Sequence, residues 1–562
     1  MQDELLIAKT EKKIYEILPH EPESMLTTLF IIGMAAYYLW RMFAITPSHE
    51  ELVSYCLFIN NGPIYSALNW PSPNNHVGYS VLASLLNYFG NSYIGLRGIS
   101  YICAVGNLIL VNRICKRFFT HGMALGGMVL YGSMQVVNEY SVQGRGYTLA
   151  TFCFLLSVYL SCEICKSGEN ARFLSIIYIV CIVFGMYTTP SSIYWVVPVC
   201  LTVLLYLFIN GFRSRRYFAS DLENVYLRKL NSFIGSTAIA VFITFVLYSA
   251  LWLSLGAKAL IEDEASLFYG SNDMTIFLRN PMAALSSGMQ YMNTKRHLVE
   301  EDVDLFKEKF LSWIVDLLNY MLPGLWFLLA IFIISGVSIM LVECFRHFEY
   351  SRTVINLMVV TNIAYVVIVL LSTHKLPALR GFGYGSFLMT ICVCCTLEKC
   401  INVGIRLYNK YVGKNDSSSR KENETLISSG EWYEIQGVYI PVIVIIFLFF
   451  ARFADTNFNA QIGSRENDIF NTMYIADIAG KKNPCVLDED QDYLMQFGFG
   501  INCEKTDVTG ADVVILDRHM KDPQYTGEYL DRFYQTYDTI DWDYLDTMHI
   551  QYENDSIILY TK

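Results

Sequence analysis

Long runs of apolar residues, separated by polar connections, recur along the first 454 residues of the chain. A helix needs about 20 mostly apolar residues to cross the hydrocarbon core of a membrane. Runs near that length lie at 25–45, 96–113, 119–138, 147–165, 173–189, 192–209, 232–255, 321–343, 354–372, 382–400 and 437–453. The run 76–90 is shorter and is interrupted by Asn and Tyr, so it predicts a helix at the membrane surface. The pattern predicts a polytopic α-helical membrane protein with about eleven transmembrane helices.

Basic residues in the connections indicate which side of the membrane each connection faces. With the N-terminus inside, the inner connections contain 21 Lys and Arg and the short outer ones contain four. Those four are Arg97, Arg145, Lys375 and Arg380. Cytoplasmic loops carry such an excess, and long loops are left out of the count. The sequence therefore predicts a cytoplasmic N-terminus and, because the number of spans is odd, an extracytoplasmic C-terminus.

The chain divides into three predicted pieces, an N-terminal segment 1–24, a membrane module 25–454 and a tail 455–562. The module contains a first outer loop 46–95, a long outer loop 256–320 and an inner linker 402–435. The tail contains 21 acidic and 8 basic residues and lacks a long apolar run. Short apolar runs at 484–487, 512–516 and 556–560 predict strands, and 490–497 and 526–534 predict helices. We expect a soluble extracytoplasmic α/β domain, in which Cys485 and Cys503 either pair or stay free.

Composition agrees with this pattern. Hydrophobic residues make up 53% of the chain, charged residues 17%, and the mean hydropathy is +0.34. Soluble domains carry about 25% charged residues, so a soluble, disordered or collagen-like chain is excluded. The net charge of −11 argues against a nucleic-acid-binding protein.

Candidate chemistry lies where polar residues follow the predicted spans on the outer side. Glu50 and Glu51 come just after the first span. Adjacent carboxylates at a membrane surface repel each other, which raises the pKa of one or both and suits a proton acceptor. The same residues fit the first turn of a helix capped by Ser48. Both interpretations can hold together.

Several cations share the outer boundary with this acidic pair. Arg145 opens the fourth span, and it either extends its charge toward water or binds a lipid phosphate, which guanidinium matches in geometry and charge. Arg97, Lys375 and Arg380 also lie at outer span ends. His76 precedes the surface helix. Together they indicate a site for an anionic head group.

The order of these features resembles the GT-C superfamily of polyprenyl-phosphate-sugar-dependent glycosyltransferases, and most closely its protein O-mannosyltransferase and aminoarabinose-transferase branch. The motifs are short, and their order and sidedness carry the resemblance over residues 25–210. They are Glu50-Glu51, Asn74-Asn75-His76-Val77-Gly78-Tyr79, Phe89-Gly90, Leu96-Arg97 and Gly144-Arg145-Gly146-Tyr147. The chain departs from the family where Glu50 replaces the usual Asp and where Val77-Gly78 replaces a Pro-Pro pair.

The resemblance implies transfer of a sugar from a polyprenyl-phosphate donor to an acceptor hydroxyl outside the membrane, with inversion. It implies that Glu50, with Glu51 beside it, occupies the acidic catalytic position of the family. The carboxylate there either accepts the hydroxyl proton or holds a divalent cation such as Mg or Mn. It also implies substrate binding by His76 and by Arg145. Arg380 resembles an Arg that opens a late span in these enzymes, and Arg97 and Lys375 are expected to assist.

The expected partners are the lipid-linked donor, membrane lipid and an unidentified protein, glycan or lipid acceptor, in a bacterial plasma membrane by family analogy. Two other functions stay open at this point. A transporter or flippase of a lipid-linked sugar would also need outward cations, but such proteins usually contain internal repeats, and none is found here. A catalytically silent scaffold of the same fold is the third interpretation.

Overall fold

The computed structural model describes the chain except for residues 1–21, 70–74, 120, 167–171, 216–223, 294–296, 300–302, 347–349, 412–442, 448–450, 452–463 and 523–531. The helices of the membrane module are α1 (Pro22–Ala44), α2 (His49–Leu57), α3 (Pro63–Leu68), α4 (Val77–Asn87), α5 (Ser92–Phe118), α6 (His121–Ser133), α7 (Gln135–Tyr140), α8 (Tyr147–Lys166), α9 (Arg172–Thr188), α10 (Ile193–Ser214), α11 (Val225–Glu262), α12 (Asp273–Arg279), α13 (Pro281–Asn293), α14 (Val303–Met321), α15 (Trp326–Arg346), α16 (Tyr350–Thr373) and α17 (Gly385–Tyr411).

Eight of the described helices are long and apolar enough to cross a membrane, and they confirm the predicted fold class. They are α1, α5, α8, α10, α11, α15, α16 and α17. The predicted surface helix is also present, as α4. It is an apolar helix of 11 residues, too short to span the membrane.

Three of the predicted spans need comment. The run 119–138 forms two helices, α6 and α7, because the backbone of Met134 between them is extended. Gly132 lies just before this break, and glycine weakens a helix. The run 173–189 forms α9, an apolar helix of 17 residues. Most of 437–453 lies outside the described residues.

Two predicted boundaries differ in the structure. Helix α17 continues through 402–411, which the sequence had indicated as the start of a linker, while 412–435 lies outside the described residues. Helix α11 extends beyond the predicted span 232–255 to 38 residues, so it projects into the long outer loop. That loop also contains β1 (His297–Val299), which pairs antiparallel with β2 (Leu376–Pro377).

Residues in or next to different predicted inner connections contact one another. Arg352 forms an ion pair with Glu398, and its guanidinium lies over the ring of Phe119, 5.5 Å from the ring centre. Arg117 forms an ion pair with Glu163. These contacts join helix ends that the sequence predicts on the same side of the membrane.

The tail contains helices α18 (Arg465–Ile475), α19 (Glu489–Phe499) and α20 (Trp542–Leu545) and strands β3 (Val513–Asp517), β4 (His549–Glu553) and β5 (Ile557–Thr561). The three strands form an antiparallel sheet in the order β3-β5-β4. The predicted helix 490–497 and the predicted strands 512–516 and 556–560 correspond to α19, β3 and β5. The sequence did not predict α18 or β4, because neither is strongly apolar.

Two other predictions for the tail need correction. Residues 484–487 are extended but make only an isolated bridge, between Pro484 and Val513. Of the predicted helix 526–534, most lies outside the described residues, and Phe533 pairs with Asp488 in an extended bridge instead. Cys485 and Cys503 are both free thiols.

Candidate active site at one end of the helix bundle

The acidic pair lies in the first turn of the short helix α2, which begins with His49 directly after Ser48. The backbone N–H of Ser48 donates to Oε2 of Glu51 over 3.1 Å, which is the reciprocal half of a capping box. Acidic residues in a first helical turn are also favoured by the helix dipole. The helix-start interpretation of this sequence is therefore right, and it does not exclude a functional one.

Glu51 is buried in a bidentate ion pair with Arg97. Nε and one terminal nitrogen of Arg97 donate to the two carboxylate oxygens of Glu51, both over 2.8 Å. The side chains of Arg97 and Glu51 are 1% and 2% exposed. The other terminal nitrogen of Arg97 donates to the carbonyls of Met42, over 3.0 Å, and Ile45, over 2.6 Å. Arg97 thus fixes the connection between α1 and α2, and these two predicted site residues are directed at each other.

Glu50 faces a different set of partners. One terminal nitrogen of Arg380 donates to both carboxylate oxygens of Glu50, over 2.5 and 2.7 Å. A terminal nitrogen of Arg145 lies 3.5 Å from Oε2 of Glu50. Glu50 is 39% exposed and Arg380 34%, whereas Arg145 is 1% exposed. This group, here called the Glu50 cluster, joins side chains that are distant along the chain and leaves two of them open to the surroundings.

The electrostatics of the Glu50 cluster follow from this geometry. Partial burial by itself would raise the pKa of Glu50, but the charges of Arg145 and Arg380 outweigh it and hold that pKa below the usual value. Burial would lower the pKa of Arg380, but Tyr147 and Glu50 raise it above the usual value. Glu50 is therefore a carboxylate at neutral pH. The sequence-based expectation of a raised pKa is wrong for Glu50, because two guanidinium groups outweigh the effect of burial.

Two glycines on either side of Arg145 bring its backbone close to other site residues. The N–H of Gly144 donates to Oε1 of Glu51 over 2.6 Å, and the N–H of Gly146 donates to Nδ1 of His76 over 2.9 Å. A Cβ on Gly146 would lie 2.8 Å from that same Nδ1. Only glycine fits at this close approach.

Arg145 also holds α2 directly. One of its terminal nitrogens donates to the backbone carbonyl of Glu50 over 3.1 Å and to Oγ of Ser54 over 3.4 Å. His76 lies on the other side of the Gly-Arg-Gly segment, with its ring edge-on to Tyr147 at a centroid distance of 4.7 Å. Arg145 therefore contacts Glu50, and His76 contacts the backbone of the next residue, Gly146.

Lys375 lies partly buried just before β2, in the connection that leads to Arg380. Arg380 itself sits in a 3-10 turn between α16 and α17. It lines a small recess of about 10 Å³, together with polar residues that include Thr151 and Ser191. Of the Glu50 cluster, Arg380 borders this recess.

The sequence reasoning missed Glu139 and a group of tyrosines. Glu139 lies within electrostatic range of Glu50 and Arg380 and accepts a hydrogen bond from Tyr320. The hydroxyl oxygens of Tyr320 and Tyr140 lie 2.9 Å apart, within hydrogen-bond distance. Glu139 directly follows the predicted apolar run 119–138. This position at the end of a predicted span was the signal that the sequence reasoning overlooked.

A divalent cation does not fit the Glu50 cluster as it stands. Both carboxylate oxygens of Glu50 accept hydrogen bonds from Arg380, and guanidinium groups repel a cation. Within the described residues, no three His, Cys, Asp or Glu side chains form a group that could hold a metal ion. We therefore derive no step through a metal.

No protein-family model and no curated protein sequence match the chain. Solved structures do match it, among them ArnT from Cupriavidus metallidurans bound to undecaprenyl phosphate and ArnT from the same organism in the apo state. Both align with a TM-score of 0.50 over 95% of this chain and 97% of theirs, at 11% and 10% identity. ArnT is an aminoarabinose transferase of the GT-C family. The chain therefore has the GT-C fold that the resemblance implied.

Proposed function

We propose that this protein is a membrane glycosyltransferase that moves a sugar from a polyprenyl-phosphate-linked donor to an acceptor hydroxyl at the outer boundary of the membrane. The observation that carries the proposal is the Glu50 cluster, in which one accessible carboxylate meets two guanidinium groups. The GT-C fold supports it, since one of the similar structures is bound to undecaprenyl phosphate.

The arginines are suited to the phosphate of the donor. A guanidinium presents a planar fork of donors that matches phosphate oxygens. Arg380 is partly exposed and can turn from Glu50 to a phosphate, whereas Arg145 is buried and keeps a fixed place beside it. As the glycosidic bond breaks, negative charge grows on the departing phosphate, and fixed positive charge stabilises it most at that moment.

Glu50 is suited to accept the proton of the acceptor hydroxyl. Its lowered pKa keeps it ionised in the resting protein. When the donor phosphate draws Arg380 away, the carboxylate loses a partner that lowers its pKa and becomes a stronger proton acceptor. The acceptor oxygen then bonds to the anomeric carbon while the bond from that carbon to the phosphate oxygen breaks. The proton passes to Glu50 and the polyprenyl phosphate leaves with the electron pair, which inverts the anomeric centre.

The other predicted residues position or assist Glu50 and Arg380. Glu51 and Arg97 position the start of α2, and His76 positions the Gly-Arg-Gly segment through Gly146. Lys375 is proposed as a further cation for the donor head group. In this proposal the N-terminus is cytoplasmic, and the Glu50 cluster and the tail lie on the extracytoplasmic face of the plasma membrane.

The test reconstitutes the full chain in vesicles with a labelled polyprenyl-phosphate sugar and follows donor consumption. General-base catalysis is worth about 10²- to 10⁴-fold, so we expect Glu50→Gln to lose activity by that factor. Arg380→Ala serves as a second variant because Arg380, unlike Arg145, is partly exposed and less needed for folding. Glu262→Gln is the matched control, since it removes an exposed outer-loop acid that is also paired with a cation, Lys258.

Three results would contradict the proposal. Full activity of Glu50→Gln would remove the assigned proton acceptor. Labelled sugar that crosses the bilayer with its lipid linkage intact would favour the flippase. Wild-type protein that binds the donor but neither consumes it nor moves it across the bilayer would favour the interpretation as a catalytically silent scaffold.

A further inference from the structure

The tail is in contact with the segment that immediately precedes Glu50. Nδ1 of His49 lies 2.6 Å from Oδ1 of Asp490, at the start of α19. The backbone N–H of His49 donates to Oε1 of Glu466 over 3.3 Å. Oγ1 of Thr46 donates to Oδ1 of Asn467 over 2.8 Å. Polar groups of the tail therefore hold the chain from residue 46 to residue 49.

Asp490 is itself held firmly within the tail. Its carboxylate is fully buried, and its second oxygen accepts hydrogen bonds from Arg465 over 2.7 Å and from Arg532 over 3.2 Å. Arg465 also donates to Asp488 over 2.6 Å and to Asp517 over 2.9 Å. This network joins α18, α19, the end of β3 and the segment around residue 532. His49 thus meets a carboxylate whose position several tail segments fix.

The charges of this network favour His49 as a donor. Burial by itself would raise the pKa of Asp490, but His49 and the two arginines lower it below the usual value, so Asp490 is ionised. A buried carboxylate is stable only when its oxygens accept hydrogen bonds. His49 supplies the bond to Oδ1, from the membrane module to the tail.

Aromatic contacts hold the rest of α2 against the tail. The ring of Phe497 in α19 packs edge-on against Tyr55 of α2, at a centroid distance of 5.0 Å, and against Tyr93 at 4.8 Å. Helix α2 has nine residues, and isolated helices of that length are not stable in water. Its orientation therefore depends on its neighbours, and the tail is one of them.

We propose that the tail is a positioning part of the active site, in which Asp490 holds His49 so that the next residue, Glu50, points between Arg145 and Arg380. Successive helical residues point about 100° apart, so the tail holds one side of α2 while the arginines contact another. Release of His49 would let the start of α2 rotate and move the Glu50 carboxylate. The inference rests on the proposed function, but the contacts themselves can be tested separately.

The first experiment compares His49→Ala with His49→Asn in the full chain, again by donor consumption. Displacement of a catalytic group by about 1 Å can cost on the order of 100-fold in rate, so we expect His49→Ala to lower kcat about 10- to 100-fold with KM for the donor within about twofold. An Asn amide N–H can replace the Nδ1–H of His49, so His49→Asn should recover most of kcat. A kcat for His49→Ala within about twofold of wild type would overturn the proposal.

The matched control is Glu553→Gln, which removes an exposed ion pair with Arg518 elsewhere in the tail. It should leave kcat unchanged. An equal fall of kcat in Glu553→Gln and His49→Ala would mean that any disturbance of the tail lowers activity, and it would overturn the specific role of His49.

The second experiment measures amide hydrogen exchange of residues 49–57 and needs no activity. Exchange in α2 should be about tenfold faster or more in His49→Ala than in wild type, and close to wild type in His49→Asn, since local opening sets the exchange rate. Unchanged exchange would overturn the positioning role even if the enzyme is active. Faster exchange in a protein that never consumes donor would support the positioning role and contradict only the proposed function.

Discussion

Glu50 and Glu51 are neighbours in the sequence, and their surroundings differ sharply. Glu51 is buried against Arg97, and its oxygens also accept hydrogen bonds from the backbone of Gly144 and Ser48. Glu50 is partly exposed, and its main partner, Arg380, is partly exposed as well. The buried pair cannot exchange its partners for a substrate without leaving buried charges uncompensated, whereas the accessible pair can.

This difference separates structural from chemical roles within a single acidic motif. Removal of one member of a buried pair leaves an unpaired charge and costs stability. Removal of one member of an accessible pair costs little stability, because water replaces the lost partner. Variants of the buried pair Glu51–Arg97 should therefore lose stability, whereas variants of the accessible pair Glu50–Arg380 should lose activity.

The largest effect on stability is expected for Arg97→Ala. The change leaves Glu51 buried without its cation, which typically costs about 3–5 kcal/mol in the free energy of unfolding. Thermal and denaturant unfolding of the purified protein in detergent measures it. Unfolding close to that of wild type would show that water or another donor satisfies Glu51, and the contrast with Glu50 would disappear.

Arg380→Ala should lower turnover with little change in stability. Loss of one hydrogen-bond donor to a developing negative charge costs about 10²- to 10³-fold in rate. Arg380→Lys should be intermediate, because it keeps the charge and loses the planar fork. The measurement is donor consumption together with Tm of the same preparation, and a large fall in Tm would place Arg380 with the structural pair instead.

The pH dependence of kcat/KM should sharpen the difference further. A base must be ionised, and the pKa of Glu50 lies below its ordinary value, so wild-type activity should persist below the pH at which an ordinary glutamate is protonated. In Arg380→Ala a charge that lowers this pKa is removed. The acidic limb of its profile should move to higher pH. A limb that stays in place would mean that another group accepts the proton.

The smallest effect on stability is expected for an ion pair in which both side chains are exposed. Arg518 and Glu553 in the tail are 38% and 59% exposed. Glu553→Gln should change the free energy of unfolding by at most about 1 kcal/mol. A larger change in the unfolding measurement would mean that exposure does not separate the pairs of this protein in the way that Arg97 and Arg380 suggest.

Much of the fold could be predicted from the sequence, because an apolar run is a local property. Helices α8, α9, α10, α15 and α16 follow such runs to within about five residues at each end, and the predicted surface helix α4 was recognised as too short to cross. The break at Met134 was missed, because apolar residues such as Tyr131 and Val136 continue the run on both sides of it. In the tail, α18 and β4 were missed because their contacts, rather than their hydropathy, stabilise them.

The sequence predicted which residues belong to the candidate site, but it did not predict which of them contact each other. Sequence order and sidedness placed Glu50, Glu51, Arg145 and Arg380 at one boundary. The list gave no reason to join Glu51 to Arg97, and none of the expectations linked His49 to the tail, because Asp490 lies 441 residues away.

The sequence by itself determined where the long apolar helices form and which polar residues are candidates for a shared site, because hydrophobic length and charge are read from short stretches. Tertiary structure alone decided which of two identical carboxylates is enclosed and which is accessible. The partners Arg97 and Arg380 lie 46 and 330 residues away from them along the chain. Their approach depends on how helices pack, and helix packing sums many weak contacts that no short stretch of sequence contains.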